Sequence, residues 1–75
     1  MRASAASLGS APVLARDDLL LLERLSYGVP DEMIGSEMRM PVGAVRANIR
    51  AVVHTLGARN REHAVAIALK TGLIR

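Results

Sequence analysis

Two arginines one helical turn apart, Arg46 and Arg50, stand in the segment Val42–Leu56 (VGAVRANIRAVVHTL). At 100° per residue, Val42, Val45, Ile49, Val52, Val53 and Leu56 fall within about 100° of one another, which is one apolar face of a helix. The opposite side carries Gly43, Ala47, Arg50, Ala51 and His54, with Arg46 at its edge. Small side chains there let the helix backbone come close to a partner, while the guanidinium groups reach outward. Two readings fit this pattern. One is a face that lies in a groove of a polyanion; the other is an ordinary amphipathic helix in which alanine is filler.

Other chemistry finds little support. His54 and His63 fall on different segments, and there is no Cys to join them in a metal site. No HExxH spacing is present, so no metal ligands are assigned. Ser7, Ser10, Ser26 and Ser36 lie in no nucleophile motif, and no catalytic residue or cofactor is assigned. Tyr27 is the single aromatic residue, which argues against a single-stranded nucleic-acid reader built on stacking.

The segments that must position the basic face are helical. Arg16–Tyr27 (RDDLLLLERLSY) carries Leu19, Leu22 and Leu25 at helical spacing, widened by Leu20 and Leu21. Asp17 and Asp18 fall in its first turn, where carboxylates complement the helix dipole, and Gly28 stops it. Pro30–Met38 (PDEMIGSEM) opens with Pro and two acids. Ile34 and Met38 face inward there, and Gly35 admits the close approach of another element. Arg39-Met40-Pro41 reads as a tight turn into the third helix, 42–56. Asn60 is an N-cap for a last helix over Arg61–Thr71. Ala64–Leu69 is apolar around the whole circumference, which predicts one side in the core and another against a partner chain. Gly72 suits a left-handed cap that returns Leu73 or Ile74 onto the helix.

A chain of 75 residues holds one domain at most. Without Cys it has no disulfide framework, so the fold rests on apolar packing. The net charge of +3 is unevenly spread. Residues 1–38 hold Arg2, Arg16 and Arg24 against Asp17, Asp18, Glu23, Asp31, Glu32 and Glu37, a net of −3. Residues 39–75 hold Arg39, Arg46, Arg50, Arg59, Arg61, Lys70 and Arg75 against Glu62, a net of +6. The second half is a candidate surface for a polyanion. No apolar run approaches the roughly 20 residues of a membrane span. The Ala/Ser-rich residues 1–13 lack a secretory signal's apolar stretch and read as a flexible arm.

From Leu14 to Ile74 the chain resembles the LuxR/GerE (NarL/FixJ-type) DNA-binding domain. The resemblance rests on an ordered, ungapped set: Leu14, Leu19, Leu21 and Leu22, then Gly28 and Ile34-Gly35. Met40, Gly43-Ala44-Val45-Arg46, Ile49, Val52, Leu56-Gly57, Arg59-Asn60-Arg61 and Ala64-Val65-Ala66 continue it, and Ala68–Ile74 (ALKTGLI) ends it. It implies an all-α, four-helix helix-turn-helix domain over 14–75. Its third helix enters the major groove of double-stranded DNA, and its fourth forms a homodimer. Carried onto this chain, the base readers are Arg46, Ala47 and Arg50. Arg can pair with guanine O6/N7, and Ala can touch a thymine methyl. Arg39, His54, Arg59 and Arg61 become phosphate contacts, and Val65, Ala68 and Leu69 the dimer contact.

The implied function is a sequence-specific transcription regulator in the bacterial cytoplasm, acting without an enzymatic step. Its short arm after Met1 favours a small stand-alone member. The chain departs from the family where Pro30 and Pro41 replace hydroxyl residues and Met33 a glutamate. Ala44, Asn48, Ala51 and Thr55 stand where threonine, histidine, a polar or basic residue, and lysine are common. These losses, with the acidic first half, support an alternative: a protein-interaction module that binds RNA polymerase, a sigma factor or another regulator.

Overall fold

Four helices, and no strand, are found among residues 14–75, which the computed structural model describes. The arm expected over residues 1–13 lies outside the described residues. The helices are α1 (Arg16–Ser26), α2 (Asp31–Met38), α3 (Val42–Thr55) and α4 (Arg61–Lys70). The expected bounds differ only at their ends, because Tyr27, Pro30, Leu56 and Thr71 are caps rather than helical residues.

The core is wholly apolar. Leu21, Leu22, Ile34, Val45, Ile49, Val52, Ala64, Ala68 and Ile74 are buried, and no polar or charged residue joins them among the described residues. On α1 the inward pair is Leu21 and Leu22, while Leu19 and Leu20 are half-buried. The leucine stripe is therefore rotated from the one expected on Leu19, Leu22 and Leu25. On α3 the inward residues are Val45, Ile49 and Val52, as the spacing predicts. Burying each such side chain contributes about 1.5–3 kcal/mol, so these few positions supply most of the cohesion of a small fold. α4 turns two of its three alanines, Ala64 and Ala68, inward, and leaves Ala66 exposed. Side chains that small let the α4 backbone settle close to both α1 and α3. After Gly72 the chain folds back, and Ile74 is buried with its N–H donating to the Ala68 carbonyl at 3.2 Å.

Each helix closes with the same backbone bond, an N–H donating to the carbonyl five residues earlier. Val29 donates to Arg24, Met40 to Gly35, Ala58 to Val53 and Leu73 to Ala68, at 2.9–3.1 Å. Three of these closures place glycine in the left-handed region. The α2 closure places Arg39 there, at φ 58°. A left-handed conformation costs an L-residue about 1–2 kcal/mol that glycine does not incur.

Gly35 explains why the α2–α3 turn is held so tightly. A Cβ at Gly35 would lie 2.7 Å from the Met40 carbonyl oxygen and 3.5 Å from Val45 Cγ2. The turn backbone thus occupies the space a side chain would fill. Two substitutions should move stability in opposite directions. Arg39→Gly raises it by about 1 kcal/mol. Gly35→Ala lowers it by about 1–3 kcal/mol, against the usual helical preference for Ala. Urea denaturation measures both, and an unchanged midpoint for Gly35→Ala would refute the close approach.

Candidate functional site

Asp31, the first residue of α2, gathers the two arginines that sequence placed on separate helices. Its side chain is 13% exposed. Arg61, at the start of α4, donates to it twice, from Nη1 to Oδ1 at 2.7 Å and from Nη2 to Oδ2 at 3.1 Å. Arg46, on α3, donates from Nε to Oδ2 at 3.2 Å, and its Nη2 lies 3.7 Å from Glu32 Oε2. One carboxylate therefore ties α2, α3 and α4. The Arg61 guanidinium holds the Asp31 carboxyl below its ordinary value; burial opposes this, and Arg46 adds to the lowering. Reciprocally, the hydrogen bonds to Asp31 raise the Arg61 value. Paired, fork-to-fork geometry of this kind is the stronger form of charge-assisted hydrogen bond.

Four of the expected anion-contacting residues converge. Arg46, Arg50, Arg59 and Arg61 line a concavity of about 340 Å³ between α3 and the beginning of α4. Ile49 and Val53 form its apolar lining, and Asn60 completes the wall. Arg50 and Arg59 are exposed and make no side-chain hydrogen bond or ion pair among the described residues. Ala47 and His54 are exposed on α3, and Arg39 is exposed at the turn before it, but none of these lines the concavity.

The expected dimer residues separate. Ala68 is buried within the protomer because the two alanines face the core. It has no surface to present, and that part of the expectation is corrected. Val65 is half-buried against the core, whereas Leu69 is 46% exposed.

Two residues carry more than their sequence positions indicated. Asp31 reads as a helix-dipole carboxylate, yet it is an ion-pair hub; only the excess of arginines beyond residue 38 hinted that a carboxylate would be drawn in. His63 reads as a surface residue of the first turn. Its N–H donates to Asn60 Oδ1 at 2.8 Å, and its Nδ1 accepts from the Arg59 N–H at 3.0 Å. The Asn60 cap is as expected, and His63 closes it from the other side. This reciprocal cap fixes the backbone beside Arg59 and Arg61.

Asp31 has a lowered folded value, so its contribution is complete above the ordinary carboxylate range and disappears as pH falls through the folded value. Asp31→Asn should lower stability by about 1–2 kcal/mol near neutral pH. The difference from the natural chain should close in strong acid. Urea midpoints across the acid range test this; a pH-independent difference would remove Asp31 from that role.

Comparison with models of known protein families gives no match, nor does comparison with curated proteins.

Proposed function

We propose that this chain is a DNA-binding transcription regulator of the LuxR/GerE helix-turn-helix type, working in the bacterial cytoplasm as a homodimer. The observation that carries the reading is the outer face of α3. Arg46, Ala47 and Arg50 are exposed there on a helix whose other side is locked into the core by Val45, Ile49 and Val52. A rigid helix with short and long cationic residues on its open side matches the major groove in shape and charge. α2, the tight turn and α3 form the helix-turn-helix in this reading, and Gly35 sets their approach.

Arg46 and Arg50 read base edges, and Ala47 meets a thymine methyl. Arg39, His54 and Arg59 are open to phosphate oxygens. Arg61 has both Nη atoms on Asp31, so it acts mainly by positioning Asp31, and through it Arg46. The homodimer uses the outer side of α4 around Leu69, with Val65 at its margin. No helix among the described residues is long and apolar enough to cross a membrane.

A second reading has its own observation. Tyr27 and Met33 are 66% and 57% exposed, and Glu32 and Asp31 partly neutralise Arg46. Exposed apolar and acidic groups on the α1–α2 side suit a protein partner such as RNA polymerase, a sigma factor or another regulator.

Arg50→Ala should weaken binding to a selected duplex by about 1–3 kcal/mol, and Arg46→Glu with Arg50→Glu should abolish it. Fluorescence anisotropy across a salt series reads both, with affinity falling steeply as salt rises. A folded double variant that still binds the duplex would sink the α3 assignment. A folded natural chain that binds no duplex even at low salt would transfer the function to the protein-partner reading.

Leu69→Glu should leave the fold intact and convert the dimer to a monomer in sedimentation. Persistence of the dimer at low concentration would refute the α4 contact.

A further inference from the structure

The concavity between α3 and the beginning of α4 differs in shape from the face that a groove would receive. A groove takes a protruding helix. This recess instead takes something inserted into the protein. It is lined by four arginines, Arg46, Arg50, Arg59 and Arg61, and by no acidic residue. Asp31 and Glu32 touch two of those arginines from outside the lining. Glu62, next to Arg61 in the chain, adds a third carboxylate, so the four arginines keep a net positive field that favours an anion. Arg61 is held in place by two bonds to Asp31 and is ordered before any ligand arrives, while Arg46 is oriented more loosely through Nε. Arg50 and Arg59 have no partner among the described residues and supply open donor forks.

The lining beneath the arginines is apolar. Ile49 is 4% exposed, and Val53 is half-buried beside it. A bare phosphate has no use for such a surface, whereas a phosphate ester with an apolar or ring-shaped substituent covers it. The volume, about 340 Å³, falls in the range of small-molecule pockets.

From this arrangement we infer that the concavity binds a small phosphate monoester, its phosphate held by Arg50 and Arg59 between Arg46 and the fixed Arg61, and its substituent resting on the apolar lining at Val53 and the edge of Ile49. Binding there covers Arg46 and Arg50, so the ligand excludes DNA from α3. The ligand site stands on the geometry of the recess. The competition with DNA rests on the DNA-binding reading.

The experiment uses the full chain, with phenyl phosphate and inorganic phosphate as probes at constant ionic strength. Thermal melting followed by circular dichroism should show a rise in Tm with phenyl phosphate beyond that in chloride. The apparent affinity should be about tenfold tighter than for inorganic phosphate, because the ring covers apolar surface. Arg50→Gln with Arg59→Gln should weaken binding by at least about tenfold. Both side chains are exposed and unpaired, so this variant keeps its fold. Arg16→Gln, on α1 and away from the recess, should bind as the natural chain does.

No rise beyond chloride overturns the proposal, as does a rise that survives in the Arg50/Arg59 variant. A labelled duplex separates the two sources of phosphate. Displacement of bound duplex by phenyl phosphate supports the competition. A duplex that binds while phenyl phosphate does not would mean the recess seats only a backbone phosphate, which also overturns the proposal. Phenyl phosphate that binds when no duplex does would leave the ligand site standing and remove the DNA-binding reading.

Discussion

The structure depends on the absence of one side chain. With no Cβ at Gly35, the Met40 carbonyl can occupy that position, and α3 begins immediately beside α2. The angle at which α3 leaves the turn then determines which of its sides is buried. Val45 lies against Gly35 and is fully enclosed, and Ile49 and Val52 follow it into the core. Arg46 and Arg50 are left outside by the same geometry. The turn accepts a left-handed arginine at position 39 as part of this arrangement. The local conformational cost, about 1–2 kcal/mol, is small against the burial that the resulting α3 position permits.

A second constraint is electrostatic. Asp31 contacts one arginine from α3 and one from α4, and so joins three helices at the edge of the concavity. Its environment is sheltered, but its two partners are not equivalent. Arg61 is bidentate and closer, whereas Arg46 is bound through Nε alone and is 49% exposed. The hub therefore fixes the start of α4 firmly and orients Arg46 more loosely. Its strength is greatest where carboxylates are fully ionised, which includes neutral pH.

The sequence made the helices legible because punctuation and periodicity agreed. Gly28, Gly57 and Gly72 mark three of the helix ends, and Pro30, Pro41 and Asn60 mark three of the starts. The 3.6-residue spacing of valine and isoleucine located the inward side of α3. It was less informative on α1, where consecutive leucines satisfy several rotations equally, and only packing against α3 and α4 selects Leu21 and Leu22. On α4 an all-apolar circumference hid the fact that Ala64 and Ala68, rather than Val65, Ile67 or Leu69, are the fully buried residues. Close helix packing, which favours Ala64 and Ala68 there, is a property of the assembled fold. The Asp31 hub was illegible for the same reason. Its partners are 15 and 30 residues away, and no local pattern specifies which carboxylate they meet.

The differing grip of Asp31 on its two arginines bears on how an anion would be received. An exposed ion pair contributes about 0–1 kcal/mol, whereas a bidentate contact to a guanine contributes about 1–3 kcal/mol of discrimination. In the proposed DNA complex, exchange of the half-exposed Arg46 from Asp31 to a base would therefore be favourable. Arg61 is a different case, since its removal would strip two hydrogen bonds from a carboxylate that is only 13% exposed. Leaving such a charge without its partner costs more than a surface phosphate contact returns. On the proposed reading Asp31 would release Arg46 and keep Arg61. The α4 end of the site would then remain fixed while the α3 end responds, with the direction of Arg46 before contact set by the Asp31 carboxylate.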